Sequence, residues 1–379
     1  MNALESQIFY PDLPIPPGGS LTPIANQIFW LRMPLPFALD HINLWLIEDE
    51  LDGQQGWTVV DTGVATPEVR QLWRQIRDQH FQHRSILRVV CTHMHPDHLG
   101  LASWLCRGMP EEHQLEGLGG WQAPLWMTLG EYKTGRMFAS KALSEEADQS
   151  FDGAAGSMVH FFKEHGAQSA EDEAKALKRK SHFSSLVPHV PSRYHRMMGG
   201  QRFTIGSALW EVIPGYGHSP EHAALWSEEL GLLISGDMVL PRISTNMSVW
   251  AHEPDGDPLG LYLESLHWFE GLPETTLVLP SHGKPFGGPL TPAVGGGLHT
   301  RLRQLHDHHA ERLATALKAC VEPKTCAQMV PVIFPRALDA HQYSFAMGET
   351  IAHMNHLWQT GQARRSFEAG VYRFQAADS

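Results

Sequence analysis

The sequence predicts an α/β fold in which helices pack on a mixed β-sheet, followed by a smaller helical module. Apolar β-prone segments alternate with a segment of helical periodicity in the first third of the chain. Short strands return after residue 200, and a Gly- and Pro-rich stretch at 283–297 separates them from the C-terminal part. The 379 residues suffice for two domains, or for one large domain with additions.

The first third supplies most of the predicted sheet. A proline- and glycine-rich arm at 1–25 precedes it. Strands are predicted at 26–33, 41–49, 56–63 and 85–93. A helix is predicted at 66–81, because Thr66 can cap it and Pro67 fits its first position. Two hairpin-like strands followed by strand, helix and strand indicate a mixed sheet.

The next segment changes character and then returns to strands. Residues from about 105 to 198 are predicted to form a helical insertion over one edge of the sheet, without a strong strand. Strands follow at 201–215, 222–237 and 275–283, with an amphipathic helix at 257–272. The main domain is therefore predicted at 26–290. Three helices and a β-hairpin at 298–379 are typical of a winged-helix-like module.

Composition and charge narrow the possible functions. Charged residues make up 18%, hydrophobic residues 42%, and the formal net charge is −12, which argues against a nucleic-acid backbone as partner. No apolar run is long enough for a membrane span, and residues 1–20 lack a signal-peptide pattern. Four cysteines without a CxxC pair indicate reduced thiols. We expect a cytoplasmic protein, with oligomerisation left open.

The segment "CTHMHPDHLG" at 91–100 indicates metal chemistry. His93, His95, Asp97 and His98 are ligand-type residues, and Pro96 excludes the middle of a helix. His93 and His95 alternate by two after a strand, so they face one side. Zinc takes four ligands, and a catalytic zinc keeps one position for water. The loop therefore predicts further ligands at other strand ends.

Three later strand ends carry such residues. His218 lies in "IPGYGHSPEH", Asp237 in "LLISGDMV" and His282 in "LVLPSHGKP". A carboxylate such as Asp237 can bridge two metals with its two oxygens. The sequence thus favours a two-metal site assembled from separate strand ends.

The ordered motifs His-x-His-x-Asp-His, Gly-His-Ser-Pro-x-His, Ser-Gly-Asp and Ser-His-Gly resemble those of the metallo-β-lactamase superfamily. "VVDTG" at 59–63 matches its early Asp-Thr-Gly turn, and the resemblance runs from about residue 26 to about 285. The C-terminal part resembles the winged-helix extension of one bacterial and mitochondrial subgroup. The resemblance implies an αββα sandwich with metals at one end, between the sheets.

It also implies a binuclear zinc hydrolase in which a metal-bridging hydroxide is the nucleophile. One zinc would be held by His93, His95 and His218, and a second by Asp97, His98 and His282, with Asp237 bridging. Iron-binding redox members of the family replace the second motif histidine with Glu. His95 at that position favours zinc, with iron or manganese as alternatives. Asp97, Asp237 and His222 are the candidate catalytic residues.

Several residues have more than one interpretation. His222 either orients a ligand or donates a proton to a leaving group, or it is a structural turn histidine. Asp61 is expected to support the site rather than bind metal, and His41 to pack or hydrogen-bond rather than face the cleft. The histidine-rich segment 306–312 is interpreted as a solvated helix face without carboxylate partners.

The insertion is the segment that would carry substrate specificity. "KALKRK" at 175–180 is interpreted as ordinary surface, with a phosphate-bearing carrier such as coenzyme A as the alternative. The large apolar residues of the insertion are expected mainly to pack against the sheet, and lining an acyl pocket is the alternative. These residues are Trp121, Trp126, Met127, Met158, Phe161 and Phe162.

Three small-molecule or polymer substrate classes compete. Hydrolysis of an acyl thioester or carboxylic ester is favoured by the helical insertion and is compatible with the acidic charge. RNA hydrolysis is the alternative, because the resembling subgroup includes a mitochondrial ribonuclease, but Arg364 and Arg365 are too few for a nucleic-acid face. Lactone or β-lactam opening is disfavoured because Leu240 replaces the lactonase Tyr. A non-catalytic nucleic-acid-binding protein is disfavoured, since every ligand position is filled.

Overall fold

The computed structural model describes residues 3–37, 39–110, 120–140, 154–167, 183–290 and 295–377. Two β-sheets face each other, and helices cover the outer face of each sheet. The αββα sandwich implied by the sequence is therefore confirmed. Among the described residues, no helix is both long and apolar enough to cross a membrane.

The first sheet contains seven strands in chain order. They are β1 (Thr22–Ala25), β2 (Ile28–Pro34), β3 (His41–Leu51), β4 (Gln54–Val60), β5 (Ser85–Val90), β6 (Leu125–Met127) and β7 (His195–Arg196). The pairs from β1 to β4 are antiparallel, and those from β4 to β7 are parallel. The carboxyl ends of β4, β5 and β6 consequently meet at one edge of the sheet.

The second sheet contains six strands in the order β13-β12-β11-β10-β9-β8. They are β8 (Arg202–Ile205), β9 (Ala208–Gly215), β10 (His222–Ser227), β11 (Leu232–Gly236), β12 (Leu277–Pro280) and β13 (Phe286–Gly287). Only the β11–β12 pair is parallel among the pairs of this sheet, so both of these strands end on the same side.

Ten α-helices are present in the described ranges, after a short 3-10 helix at Ala3–Gln7. They are α1 (Pro67–His80), α2 (Pro96–Leu99), α3 (Ala102–Cys106), α4 (Leu129–Ala139), α5 (Ala154–Glu164), α6 (Phe183–Leu186), α7 (Pro258–Glu270), α8 (Leu298–Ala319), α9 (Cys326–Ile333) and α10 (Ala340–Gln359). The Thr66 hydroxyl accepts the Val69 N–H at the start of α1, as its sequence predicts.

Large apolar side chains fill the space between the sheets. Trp30, Trp45 and Val60 of the first sheet lie against Trp210 and Leu225 of the second, and all are fully buried. Their positions follow the alternation that a half-buried strand requires. Burial of this apolar area stabilises the sandwich by roughly 25 cal/mol per Å² removed from water, which fixes the strand ends relative to one another.

The C-terminal part contains the predicted three helices, α8 to α10, and a hairpin of β14 (Ala363–Glu368) and β15 (Val371–Ala376). Their core also receives Phe161 and Phe162 from α5, a helix predicted to belong to the insertion. The insertion therefore contributes to the C-terminal core. The winged-helix assignment and the domain boundaries remain predictions.

The sequence predicted no strong strand in the insertion, but the structure places two very short strands there. β6 and β7 lie there and extend the first sheet by parallel pairing. They contain three and two residues, too few to show an alternating pattern. β1 likewise begins inside the predicted arm and pairs with β2.

The large apolar residues of the insertion pack in cores, as their main interpretation expected. Trp126 packs between the two sheets, whereas Trp121 and Met127 pack in the core between the first sheet and the helices that cover it. Met158 packs against the C-terminal core. The basic segment at 175–180 lies outside the described residues.

Candidate metal centre

Five histidines and two aspartates converge where strands of both sheets end. They follow or precede β5, β9, β11 and β12 in the chain: His93, His95, Asp97, His98, His218, Asp237 and His282. The structure thus brings together every residue that the sequence suggested as a ligand. Because the sheets face each other, ligands from distant parts of the chain meet in one cluster.

His93, His95 and His218 form what we call the first half-site. His93 Nε2 lies 2.9 Å from His95 Nδ1 and 3.1 Å from His218 Nε2, and the latter two atoms lie 3.0 Å apart. Ligand nitrogens of a tetrahedral zinc with bonds of about 2.0–2.1 Å lie roughly 3.3 Å apart. The three nitrogens therefore converge closely enough to share one ion.

Asp97, His98 and His282 form the second half-site. Asp97 Oδ2 lies 3.6 Å from His98 Nε2 and 3.3 Å from His282 Nε2. His98 is fully buried and His282 is nearly so. A carboxylate and two imidazoles at these separations are also a set that one cation could hold together.

Asp237 lies between the two half-sites and turns one oxygen towards each. Its Oδ2 is 3.4 Å from His218 Nε2, whereas its Oδ1 is 3.6 Å from His98 Nε2 and 3.5 Å from His282 Nε2. This is the arrangement expected of a carboxylate that bridges two cations.

The donor atoms fit a metal better than they fit one another. His98 Nε2 and Asp237 Oδ1 are buried and have no hydrogen-bond partner among the described residues. Such atoms cost about 1–3 kcal/mol each when they remain unsatisfied. Bound cations would remove this cost, and imidazole nitrogen with carboxylate oxygen suits zinc.

Hydrogen bonds on the opposite ring nitrogens fix the orientation of four ligands. The Nδ1 atoms of His98, His218 and His282 each lie 2.8 Å from an acceptor, namely Asp61 Oδ2, the Asn246 carbonyl and the His41 carbonyl. His93 Nδ1 lies 3.1 Å from the Thr92 hydroxyl. These contacts direct each Nε2 lone pair into the cluster. His95 is the exception, because its Nδ1 faces the other ligands.

The two half-sites differ in their electrostatics. Burial and the neighbouring His218 lower the pKa of His95 to about 3, so this imidazole is neutral at pH 7. In the second half-site, burial opposes the charge of His98, but Asp61, Asp97 and Asp237 raise its pKa to about 9. His95 thus offers a free lone pair, whereas a cation that binds His98 in the second half-site would displace a proton.

Asp61 supports the centre without joining the ligand atoms. Its carboxylate accepts the Thr92 N–H at 2.8 Å and contacts His98 Nδ1. Its φ of 62° lies in the left-handed region, which is uncommon for residues other than glycine. The hydrogen bonds hold Asp61 in this conformation, in which it reaches His98.

His41 is also a supporting residue. Its backbone carbonyl contacts His282, and its ring Nε2 accepts the Gly283 N–H at 3.0 Å. Cys91 is buried and its thiol donates to the His98 carbonyl, so it lies outside the ligand set.

His222 lies behind the cluster rather than in an open cleft. It is fully buried, and its Nε2 accepts the Asp237 N–H at 3.2 Å. Gly236 has a φ of 53°, and a side chain there would collide with the His222 ring. Burial holds the pKa of His222 well below its ordinary value. This geometry favours the orienting role over proton donation to a leaving group.

Glu131 on α4 is a supporting residue that sequence reasoning missed. Its carboxylate accepts the Met94 N–H at 2.8 Å and the Glu221 N–H at 2.7 Å. Met94 lies between two ligands of the first half-site, and Glu221 follows the third closely. One buried carboxylate therefore ties the two loops of this half-site together. No sequence signal distinguishes it from an exposed helical glutamate.

A second missed support comes from the C-terminal module. The Asn246 carbonyl orients His218, and the Asn246 side-chain amide donates to Glu349 Oε2 at 3.1 Å. Ser248 Oγ also donates to Asn246 Oδ1 at 2.9 Å. Glu349 lies on α10 and is nearly fully buried. The C-terminal module thus contacts the segment that orients a first-half-site ligand.

Glu131→Gln should weaken zinc binding at the first half-site. The new amide NH₂ would face a backbone N–H, so one of the two loops would lose its anchor. We expect roughly a 10–100-fold loss of affinity, measured by competition with a chromophoric chelator. Glu264→Gln, an exposed change on α7, is the matched control. Wild-type affinity in Glu131→Gln would show that the carboxylate does not support the site.

Glu349→Gln should change how stability depends on pH. Burial raises the pKa of Glu349 to about 7, and the hydrogen bond from Asn246 opposes this only partly. The folded protein therefore binds more protons than the unfolded chain between about pH 4 and 7, and its unfolding free energy falls as pH rises through that window.

The amide variant lacks this loss. The unfolding free energy of Glu349→Gln relative to that of the wild type should therefore rise by about 2–3 kcal/mol between pH 5 and pH 8. Urea unfolding of both proteins with a metal chelator present measures the difference, and contributions from all other groups cancel. Glu264→Gln should show no such trend. An equal stability difference at both pH values would contradict the buried-carboxylate account.

Comparisons with known proteins agree with this architecture. The family model described as "Metallo-beta-lactamase superfamily" matches residues 38–110 and 152–282, and "Metallo-beta-lactamase-like, C-terminal domain" matches 313–377. A curated relative, "Probable metallo-hydrolase YqjP" of Bacillus subtilis (strain 168), is 24% identical over 87% of this chain and 92% of its own length.

Solved structures extend the likeness to nearly the whole chain. A beta-lactamase domain protein from Burkholderia ambifaria is 47% identical, covers 99% of this chain and 100% of its own, and has a TM-score of 0.87. A metallo-beta-lactamase family protein from Thermus thermophilus shares the fold at 24% identity, over 93% of this chain and 99% of its own, with a TM-score of 0.71. This chain belongs to the metallo-beta-lactamase superfamily.

Proposed function

We propose that this protein is a metal-dependent hydrolase with a binuclear zinc centre. The observation that carries the proposal is the placement of Asp237, whose two carboxylate oxygens face different half-sites. His93, His95 and His218 would hold one ion, and Asp97, His98 and His282 the other. The name of the Bacillus subtilis relative, a probable metallo-hydrolase, supports the reaction class.

Zinc ions in the two half-sites would activate water and polarise the substrate oxygen. The chain's own residues then decide where water and substrate approach. The side chains of Asp97 and Asp237 are 16% and 11% exposed, whereas those of His98 and Asp61 are 0% and 1% exposed. These two carboxylates therefore lie on the open side of the cluster, together with the partly exposed His95. Asp97, of which only Oδ2 faces the histidines of the second half-site, could hold a proton released during attack on the substrate.

We propose an acyl thioester or carboxylic ester as the substrate. Phe138 on α4 lies 5.5 Å from Phe183 and 5.3 Å from Trp250, measured between ring centroids, and all three rings are only partly buried. Gly135, one turn earlier on α4, packs against Met94 and Leu99. Both lie in the segment 91–100 that carries His93 to His98, which we call the ligand loop.

The aromatic wall formed by Phe138, Phe183 and Trp250 thus stands beside the ligand loop and presents apolar surface. Such a surface suits an acyl chain and would gain nothing from a phosphate backbone. A small-molecule acyl carrier such as coenzyme A is compatible with this proposal. The net charge of −12 also disfavours a polyanionic substrate.

RNA hydrolysis is less well supported by the described surface. Arg365 pairs with Asp255 at 2.7 Å and stacks on the Trp358 ring at 3.5 Å, and its side chain is only 12% exposed. It is therefore engaged within the protein rather than presented to phosphates. Lactone opening is disfavoured by Leu240, which is buried and offers no hydroxyl.

Asp237→Asn tests the bridging role. The amide keeps the shape of the side chain but removes its negative charge and replaces one of the two oxygens, so one half-site loses its acceptor. We expect the zinc content to fall by about one ion per chain or more, and hydrolysis to fall by at least about 100-fold. Asp78→Asn, an exposed change, is the control. Unchanged zinc content and rate would sink the binuclear proposal.

A substrate panel of acyl-CoA thioesters, aryl esters, lactones and RNA ranks the substrate classes. We expect thioester or ester hydrolysis that is lost in His95→Ala. Phe138→Ala should raise KM for long acyl chains by about 5–50-fold and change KM for acetyl substrates little, because the wall contacts only longer chains. RNA cleavage that disappears in His95→Ala, without esterase activity, would overturn the substrate choice.

A further inference from the structure

A second cluster of ligand-type side chains lies on the outer side of the second sheet, between α7 and α8. His267 Nδ1 lies 3.0 Å from Glu270 Oε2, and His306 Nε2 lies 3.5 Å from Glu270 Oε1. The ligand atoms offered by the three residues all lie within 4.8 Å of one another. None of them belongs to the two half-sites.

The structure corrects the interpretation of segment 306–312 at this point. The sequence suggested a solvated helix face without a carboxylate partner, but α7 places Glu270 next to His306. The His306 side chain is only 28% exposed. Its Nε2 is shielded from solvent, and its 3.5 Å contact with Glu270 Oε1 is too long for a good hydrogen bond. A shielded nitrogen beside a carboxylate and a second imidazole is a feature that a cation would explain.

We propose that His267, Glu270 and His306 form an additional zinc site that links α7 to α8. Two imidazoles and one carboxylate are an established type of zinc ligand set, with water completing the coordination. Ligand atoms up to 4.8 Å apart must approach by about 1.5 Å to reach tetrahedral spacing. His267 is 62% exposed and can rotate to close this gap.

The protonation states favour a cation. Burial lowers the pKa of His306, so its imidazole is neutral at pH 7. The hydrogen bond from His267 lowers the pKa of Glu270, which is therefore a carboxylate. The cluster brings two imidazoles and one carboxylate together, a set that complements a divalent ion.

Such an ion would connect two parts of the fold. α7 covers the second sheet, and α8 begins the C-terminal module. Leu266 and Phe269 of α7 already share a hydrophobic core with Leu302 and Leu305 of α8. A zinc ion beside this core would hold the catalytic sandwich and the C-terminal module together at the helix junction.

The test compares the zinc content of full-length variants after equilibration with zinc and removal of the excess. His306→Ala and His267→Ala should each hold one ion fewer per chain than the wild type. If both half-sites of the main centre are full, the wild type holds three ions and each of these variants holds two. His308→Ala lies on the same helix outside the cluster and should match the wild type. Equal zinc content in all four proteins would overturn the proposal.

The one-ion difference in zinc content between the wild type and the two cluster variants does not depend on zinc binding at the two half-sites. If the proposed binuclear site held no zinc, the wild type would still exceed the two cluster variants by one ion. His267→Ala alters an exposed side chain, so it keeps the test valid if His306→Ala fails to fold. Esterase activity in His267→Ala should equal that of the wild type, since the residue lies outside the catalytic cluster.

A thermal measurement gives a second readout. Saturating zinc should raise the Tm of the wild type and of His308→Ala more than that of His267→Ala, because binding to the folded state stabilises it. An identical zinc-induced rise in all three proteins would count against the site.

Discussion

The constraint on which this structure depends is the burial of ligand atoms that cannot satisfy one another. Five imidazoles and two carboxylates lie within about 3.6 Å of their neighbours at the end of the sandwich. His98 Nε2 and Asp237 Oδ1 lack a hydrogen-bond partner among the described residues. A protein gains no stability from such an arrangement on its own. Cations that draw the donors together account for it.

The sandwich makes this cluster possible because strands of both sheets end at the same place. The loop after β5 supplies ligands from the first sheet, and the loops after β9, β11 and β12 supply those of the second. The tryptophan-rich core between the sheets fixes the distance between these loops. Slippage of one strand by a single residue would turn its ligand away from the cluster.

Segments outside the sandwich are also tied to the ligands. Glu131 reaches from the insertion to both loops of the first half-site, and Glu349 reaches from the C-terminal module to Asn246, which orients His218. The additions to the fold are therefore part of the support of the centre. Removing one of these carboxylates would leave backbone N–H groups or an amide without their partners.

The positions of the candidate ligands could be predicted from the sequence because each signal is local. His93 to His98 form a dense motif, and His218, Asp237 and His282 each follow a recognisable apolar strand. Pattern reasoning fails where the signal is short. β6 and β7 have three and two residues and owe their conformation to pairing with β5 and with each other.

Tertiary contacts explain what the sequence could not reveal. Glu131 and Glu349 lie in helices and differ from surface glutamates only through burial, which depends on the packed fold. Glu270 meets His306 because α7 and α8 pack together, although the two residues are far apart in sequence. The aromatic wall beside the ligand loop likewise combines α4, α6 and the segment around Trp250.

The central claim is that Asp237 joins two metal ions. Anomalous diffraction at the zinc edge, from crystals of the full chain equilibrated with zinc, measures this directly. The account predicts two peaks in the cluster, one among His93, His95 and His218 and one among Asp97, His98 and His282, with a carboxylate oxygen of Asp237 towards each. A single peak, or two peaks with Asp237 turned away from either, would contradict it.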